Sequence, residues 1–290
     1  MTLGGNETMS KIWYLAGMSF LVLTVYVSGE QALLPSAAHA MMPVGPNVVN
    51  VVARDYQYEM PDTLPSGPTL FHFTDDGKQL HHMTIVRLEQ GKTLADFTAL
   101  PPGPPPAWAV LMGGPNTPTP HGGQDEVILD LSPGNYAVIC VIPDADGKPH
   151  MMKGMVKALT VTPSTQARAM PASDLTLTLT NYKFTFSKPL TAGQHVIRVV
   201  NDGTQPHEAE MFRLAPGKKG EDIADWVSTG MQGPPPGAPV AGISAEAPGK
   251  ENTLLLNLSP GDYALICFMP DAKDGKAHAE HGMIYNFKVG

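Results

Sequence analysis

Residues 140–155 read CVIPDADGKPHMMKGM, and residues 267–283 read CFMPDAKDGKAHAEHGM. The chain has 290 residues but only two cysteines, and each heads one of these stretches. A histidine and a methionine follow each cysteine: Cys140, His150 and Met155 in the first, Cys267, His278 and Met283 in the second. Nine or ten residues separate Cys from His, and four separate His from Met in both. Thiolate, imidazole and thioether together make a soft donor set. The question is whether a metal site has been written twice into one chain.

The surrounding sequence repeats as well. NLSPGDYALICF (257–268) answers DLSPGNYAVICV (130–141) at an offset of 127, and NDGTQPHEAEMFRL (201–214) answers DDGKQLHHMTIVRL (75–88) at an offset of 126. The cassettes end at an offset of 128. A fixed period of this size marks duplicated structural units. The copies span 47–162 and 174–290, and TPSTQARAMPAS (162–173) has the composition of a linker. This alignment supplies a further candidate, because His81 in GKQLHHM falls opposite His207 in GTQPHEA. Four donor types then recur in register: His81, Cys140, His150 and Met155, and His207, Cys267, His278 and Met283.

Each copy reads as strands. Leu175, Leu177 and Leu179 share one face, whereas Tyr182, Phe184 and Phe186 follow with the opposite parity, a phase slip that predicts a β-bulge near Asn181. The first copy slips likewise near Asp55. Ser-Pro-Gly at 132–134 and 259–261 predicts a turn feeding a strand that ends on the cysteine. Short helices are expected around Leu94–Phe97 and Asp222–Trp226, with the proline-rich segments PPGPPPA and GPPPGAP after them as loops. Many short strands, twice over, predict an all-β protein of two sandwiches or barrels.

Composition agrees and narrows the function. With 42% hydrophobic and 16% charged residues the chain is globular, and 29 glycines and 29 prolines imply many turns. A net charge of −8 argues against nucleic acid as a partner. Near the N-terminus, Lys11 precedes an uncharged run from Ile12 to Gly29, and PSAAHA places Ala38 and Ala40 in a small-x-small pattern. This predicts a signal peptide over 1–40, cleaved after Ala40, and an exported chain, periplasmic or secreted, with no membrane partner. Cleavage would leave 250 residues carrying a net charge of −7. An uncleaved anchor is the alternative, since the run approaches the length of a membrane helix.

A secreted chain with two cysteines invites a disulfide. Here they end equivalent strands of two separate copies, and a bridge needs Cα atoms within about 7 Å. Free buried thiols would be ordinary core residues, but that leaves the recurring His and Met unexplained. Two histidines, one cysteine and a weak methionine are the blue-copper donor set. Other candidates lack this support: His82 points to the opposite strand face from His81, His281 aligns with Lys153, His121 lies in a loop, and His72 and His195 do not align with one another.

On these residues both copies resemble cupredoxin domains, the Greek-key β-sandwich family of blue copper proteins. The family carries one histidine after an N/D-G-x-x-x-H turn, and Cys, His and Met on a later loop. The resemblance implies two tandem cupredoxin-like sandwiches and up to two type 1 copper ions, one on His81, Cys140, His150 and Met155, the other on His207, Cys267, His278 and Met283. Their Cys-to-His interval is longer than in small electron-transfer members and closer to the first domain of copper nitrite reductases. Multicopper oxidases and copper nitrite reductases carry a His directly beside the Cys and His-x-His pairs. Here Cys140 lies between Ile139 and Val141, Cys267 lies between Ile266 and Phe268, and the sequence has no His-x-His. The expectation is therefore a one-electron carrier and not an enzyme. An acidic carrier would favour a basic redox partner. Copper storage or delivery, and a metal-free sandwich used for protein contact, remain open at this stage.

Overall fold

The protein is described by a computed structural model over residues 44–290 apart from Pro102. The expected signal segment lies outside the described residues. The first copy contributes β1 (Asn47–Arg54), β2 (Gln57–Glu59), β3 (Thr63–Pro65), β4 (Gly67–Asp75), β5 (Thr84–Leu88), α1 (Leu94–Thr98), β6 (Ala109–Gly113), β7 (Gly123–Leu131), β8 (Gly134–Ile139) and β9 (Val156–Thr162). The second contributes β10 (Leu175–Thr180), β11 (Lys183–Phe186), β12 (Gly193–Asn201), β13 (His207–Leu214), α2 (Gly220–Ser228), β14 (Gly237–Glu246), β15 (Glu251–Leu258), β16 (Gly261–Ile266) and β17 (Ile284–Val289). The chain is all-β, as its sequence predicts.

Alternation fixes the layers. β1 buries every second side chain, and β10 does the same with Leu175, Leu177 and Leu179. The parity change that follows is not a bulge. β10 and β11 form an antiparallel hairpin in which Thr180 pairs with Lys183, so Asn181 and Tyr182 are a two-residue turn. Tyr182 has φ 63°, and Tyr56 at the same place between β1 and β2 has φ 67°. Positive φ is what such tight hairpin turns demand. A two-residue turn and a one-residue bulge both shift parity, which is why periodicity alone reads one as the other. The segment GPPPGAP also differs from expectation, because β14 begins inside it at Gly237. Pro239 lies at a register irregularity opposite Phe212, a position where proline is tolerated.

The strands form two sheets, each running through both copies. One has the order β11-β10-β12-β15-β7-β4-β1-β2, and the other β17-β16-β13-β14-β6-β5-β8-β9-β3. In the first sheet β7 pairs antiparallel with β15, with Val127 opposite Leu254. These are counterparts in the repeat. In the second sheet the bridge Pro115↔Ile243 joins residues 128 apart, again counterparts. Antiparallel pairing of equivalent residues defines a local twofold axis, so the copies meet as a symmetric dimer does. One apolar cluster fills the space between the sheets and includes Phe71, Phe73 and Val127 from one copy with Leu177, Leu179 and Leu254 from the other. Each such side chain stabilises the fold by about 1.5–3 kcal/mol on burial. Smaller cores lie under the helices, around Phe97 and around Ile223.

Polar groups lace the seam between the copies. Asp125 is buried, and its Oδ2 accepts from the backbone N–H of Asn116 (2.9 Å) and Gly242 (3.1 Å). Asn116 Nδ2 donates to Ile243 O (3.2 Å), Ser244 Oγ to Met83 O (3.1 Å) and Asn252 Nδ2 to Met112 O (3.0 Å). Burial pushes the Asp125 carboxyl up to about 8, and burial does the same to Glu210, which bonds the Thr117 hydroxyl.

Candidate metal centres

Each cassette folds into a miniature hairpin that returns the histidine to the cysteine. In the first, Pro143 bridges Pro149, His150 N–H donates to Ile142 O (2.9 Å), and Met151 N–H donates to Cys140 O (2.8 Å). Met155 N–H then bonds His150 O (3.0 Å), and Cys140 N–H bonds Met155 O (3.2 Å). The second cassette repeats this lacing with Pro270↔Ala277, His278 N–H to Met269 O (2.8 Å), Ala279 N–H to Cys267 O (2.8 Å), Met283 N–H to His278 O (2.9 Å) and Cys267 N–H to Met283 O (3.2 Å). A 3-10 turn, His150–Lys153 or His278–His281, closes each hairpin through a left-handed glycine, Gly154 (φ 110°) or Gly282 (φ 91°). The long Cys–His interval is thus spent on a hairpin tip, and the donor residues stay in register.

The other histidine arrives from the turn after β4 or β12. Asp75 takes the N–H of Gly77 (3.0 Å) and of His81 (3.0 Å) on its two oxygens, coiling the turn so that His81 faces inward. Asn201 starts the same turn in the second copy by accepting from Gly203 N–H (2.9 Å). The turn glycine is a matter of space. A Cβ on Gly77 would lie 2.5 Å from His81 Nε2, and one on Gly203 would lie 2.6 Å from His207 Nε2.

The sequence candidates converge in two buried clusters. His81, Cys140 and His150 each offer a donor atom within 4.8 Å of the other two, as do His207, Cys267 and His278. His81 Nδ1 lies 3.1 Å from His150 Nδ1, and Cys140 Sγ 3.5 Å from the latter. In the second cluster the corresponding separations are 3.0 Å and 3.3 Å, with 3.9 Å from Cys267 Sγ to His207 Nδ1. Met155 and Met283 are fully buried, and the lacing places their backbones against the cysteine and histidine. The two cysteines are free and form no disulfide.

Protonation favours ligation. Asn181 Oδ1 accepts from His207 Nε2 (3.2 Å), which assigns the hydrogen to Nε2 and leaves the Nδ1 lone pair facing inward. Asp55 Oδ1 does the same to His81 (3.1 Å). Burial and the neighbouring imidazole hold His207 down at about 4, and burial lowers His150 and His278. All three rings are neutral at pH 7. Burial pushes the Cys140 thiol up to about 12 and Cys267 upward as well, so without a cation both remain thiols. Backbone N–H groups of His82 and Ile142 face the first sulfur, those of Glu208 and Met269 the second.

The clusters fit a metal. An ion with bonds of about 2.0 Å to nitrogen and about 2.3 Å to sulfur spaces its donors roughly 3.3–3.7 Å apart, and the observed 3.0–3.9 Å brackets this. Two Nδ1 atoms 3.0 Å apart can share only one proton, whereas a cation between them satisfies both lone pairs. His150 Nε2 and His278 Nε2 are buried without a hydrogen-bond partner, and ligation through Nδ1 would fix the ring hydrogen there.

Several neighbours escaped the sequence reading. Tyr56 and Tyr182 set their rings edge-on to His150 and His278 at 5.3 and 5.5 Å. Their hydroxyls donate to Asp144 and Asp271 in the cassettes, and Gln79 and Gln205 donate to those hydroxyls (2.8 and 3.4 Å). All recur at the repeat offset, which is the signal that could have found them. His82 is a tie and not a donor to the cluster: its Nε2 accepts Val141 N–H (3.4 Å), as Glu208 Oε1 accepts Phe268 N–H (2.9 Å) in the second copy. His72 faces Glu126, and His195 faces Asp174. His121 is exposed in its loop.

A two-sheet all-β sandwich with a buried His–Cys–His cluster in each copy is the class that fold and site define. No protein-family model matches the chain, and no curated protein matches its sequence. Among solved structures, reduced auracyanin from the photosynthetic bacterium Roseiflexus castenholzii is similar over 41% of this chain and 99% of its own, at 20% identity and TM-score 0.29. A multicopper oxidase is similar over 84% of this chain and 88% of its own, at 14% identity and TM-score 0.26. Copper nitrite reductase from Nitrosomonas europaea is similar over 85% and 94%, at 15% identity and TM-score 0.24. These likenesses concern the fold. They also correct the expectation that the chain is not an enzyme, because oxidases and reductases stand among the structures it resembles. That expectation rested on a missing His beside Cys and a missing His-x-His. Adjacency in sequence is one way to assemble a catalytic metal, and a folded chain can also gather its ligands from distant positions.

Proposed function

We propose that this is an exported copper protein that carries single electrons, with one type 1 site per copy. His81, Cys140 and His150 would hold one ion, with Met155 as the weak fourth donor. His207, Cys267, His278 and Met283 would hold the other. The observation that supports this most is the twofold occurrence of the same buried His–Cys–His convergence within one chain. Copper bound to such a set supplies a reversible one-electron couple.

The chain's own residues do the rest. Asp55 and Asn181 hold the ring hydrogen of His81 and His207 at Nε2, so Nδ1 is presented without rotation. The laced cassettes keep Cys, His and Met at fixed spacing, and the sandwich core keeps water out. Rigid donors limit the rearrangement that accompanies a change of oxidation state. Copper analysis together with a visible spectrum tests the reading: two copper ions per chain and a strong thiolate-to-copper band in the oxidised protein are expected. Copper without colour would favour storage or delivery, and the absence of copper binding would refute the proposal. Export is tested by N-terminal sequencing of secreted material, expected to begin at Met41.

A further inference from the structure

The ring hydrogen of the early histidine is held by different acceptors in the two copies. In the first, Asp55 Oδ1 accepts from His81 Nε2 (3.1 Å) and from the backbone N–H of Lys78 (2.9 Å). In the second, Asn181 Oδ1 accepts from His207 Nε2 (3.2 Å) and from the backbone N–H of Thr204 (3.0 Å). Asp55 and Asn181 stand at the repeat offset of 126, as do His81 and His207. The space around the oxygen matches too. A Cβ on Gly77 would lie 2.8 Å from Asp55 Oδ1, and one on Gly203 the same 2.8 Å from Asn181 Oδ1. One oxygen with two donors is thus kept in place, and what changes is its charge. The turn itself needs no charge, because asparagine closes the second copy with the same two donors.

Asp55 keeps 31% of its side chain exposed and so carries its charge at neutral pH. Both imidazoles are fully buried, where a neighbouring charge is screened less than at a surface. A hydrogen bond to a carboxylate is roughly twice as strong as one to a neutral oxygen, and it raises the basicity of the ring's other nitrogen. His81 Nδ1 is then a stronger electron donor than His207 Nδ1, and negative charge beside an ion favours its more positive state. We propose that Asp55 is a positioning residue that lowers the reduction potential of the first copper site through His81, a control that the second copy lacks with Asn181. This rests on the copper reading above. Asp75, His82 and Lys153, where the second copy has Asn201, Glu208 and His281, also differ around the clusters. They set the offset between the two sites, so the effect of Asp55 is read within each site.

Exchange across the repeat supplies the test. Cys267→Ser leaves the first site to report alone, and Cys140→Ser leaves the second. Each copper-loaded protein is titrated at neutral pH with a chemical reductant, which gives one electron to each Cu(II) and leaves Cu(I). Asp55→Asn is expected to change the ratio of Cu(II) to Cu(I) affinity at the first site by about tenfold, raising its midpoint by about 59 mV. Asn181→Asp is expected to lower the second midpoint by a like amount. A ratio that stays within about twofold in a folded, copper-loaded Asp55→Asn protein, or a midpoint that falls, overturns the proposal, since about tenfold is expected. If that variant fails to fold, Asn181→Asp decides alone by the same measure. A second readout needs no metal. In the metal-free protein the Nε2 proton of His81 is expected to resonate downfield of that of His207, and Asp55→Asn to bring it to the same position. A resonance that does not move overturns the proposal as well. A chain that takes up no copper refutes the copper reading itself, whereas loaded sites with unmoved midpoints overturn only this one.

Discussion

Gly203→Ala tests whether the turn before His207 exists to let the backbone pass close to the imidazole. The backbone at Gly203 is not in the left-handed region, so alanine is conformationally acceptable there and only the added methyl acts. Its Cβ would lie 2.6 Å from His207 Nε2 and 2.8 Å from Asn181 Oδ1. Ordinary contact begins at 3.4 Å, so the ring must retreat by about 0.8 Å. That retreat breaks the 3.2 Å bond from His207 Nε2 to Asn181 and turns Nδ1 away from the cluster. Loss of such an orienting bond lowers metal affinity about 10- to 100-fold, equivalent to about 1.4–2.7 kcal/mol. Overpacking in the metal-free protein costs a further 1–3 kcal/mol or so of stability. The assay is competition for copper against a chelator in a Cys140→Ser background, where only the second site reports. Melting of the metal-free protein measures the packing effect separately. A folded Gly203→Ala protein whose second site holds copper within about twofold of the unaltered affinity would refute the reasoning, since the loss expected is at least about tenfold. Gly77→Ala should behave alike at the first site, where the methyl would lie 2.5 Å from His81 Nε2.

Cys140→Ser should remove one copper and about half of the thiolate-to-copper absorption, and Cys267→Ser the other half, because thiolate is the donor that gives both softness and colour. Metal analysis and absorption read this, and loss of all colour from either change alone would sink the equivalence of the sites. Asp125 is buried with its carboxyl raised from 3.8 to about 8. The folded chain therefore keeps a proton there between about pH 4 and pH 8 that the unfolded chain has released, so stability falls as pH rises through that window. The slope is up to about 1.4 kcal/mol per pH unit. Denaturant unfolding at pH 5 and pH 8 should show a smaller difference for Asp125→Asn, and an unchanged difference would contradict it. Leu254→Ala, at the local twofold axis, should cost about 2–5 kcal/mol. Calorimetry should show both copies melting in one transition, before and after the change, and two separated transitions would show that the joined sheets do not couple them.

The repeat, the strands and the convergence of His81, Cys140 and His150, and of His207, Cys267 and His278, were legible because each leaves a pattern along the chain. Alternation marked β10, and the repeat offset brought His207 opposite His81. The hairpin at Asn181 was misread because parity records a shift without its cause. The joining of β7 to β15 was hidden for another reason. Both are apolar strands, and nothing local in Val127 or Leu254 states which strand lies beside it. Asp125 carries no mark in the sequence that sets it apart, because its partners, Asn116 and Gly242, come from different copies. Asp55, Tyr56 and Asp144 belong to common residue types with no ligand-like spacing, and only superposition of the copies would have singled them out.

The local twofold axis has a consequence for how the molecule can change. In a dimer of identical chains every substitution appears on both sides of the axis at once. Here one gene encodes both halves, so each half can vary alone while the shared sheets keep it in place. The seam already carries aspartate at 125 and asparagine at 252, the histidine supports are Asp55 and Asn181, and the cassettes close on Lys153 and His281. Such paired differences are free to give two sites of the same donors unlike potentials or unlike neighbours, a division of labour that an assembly bound to exact symmetry cannot evolve.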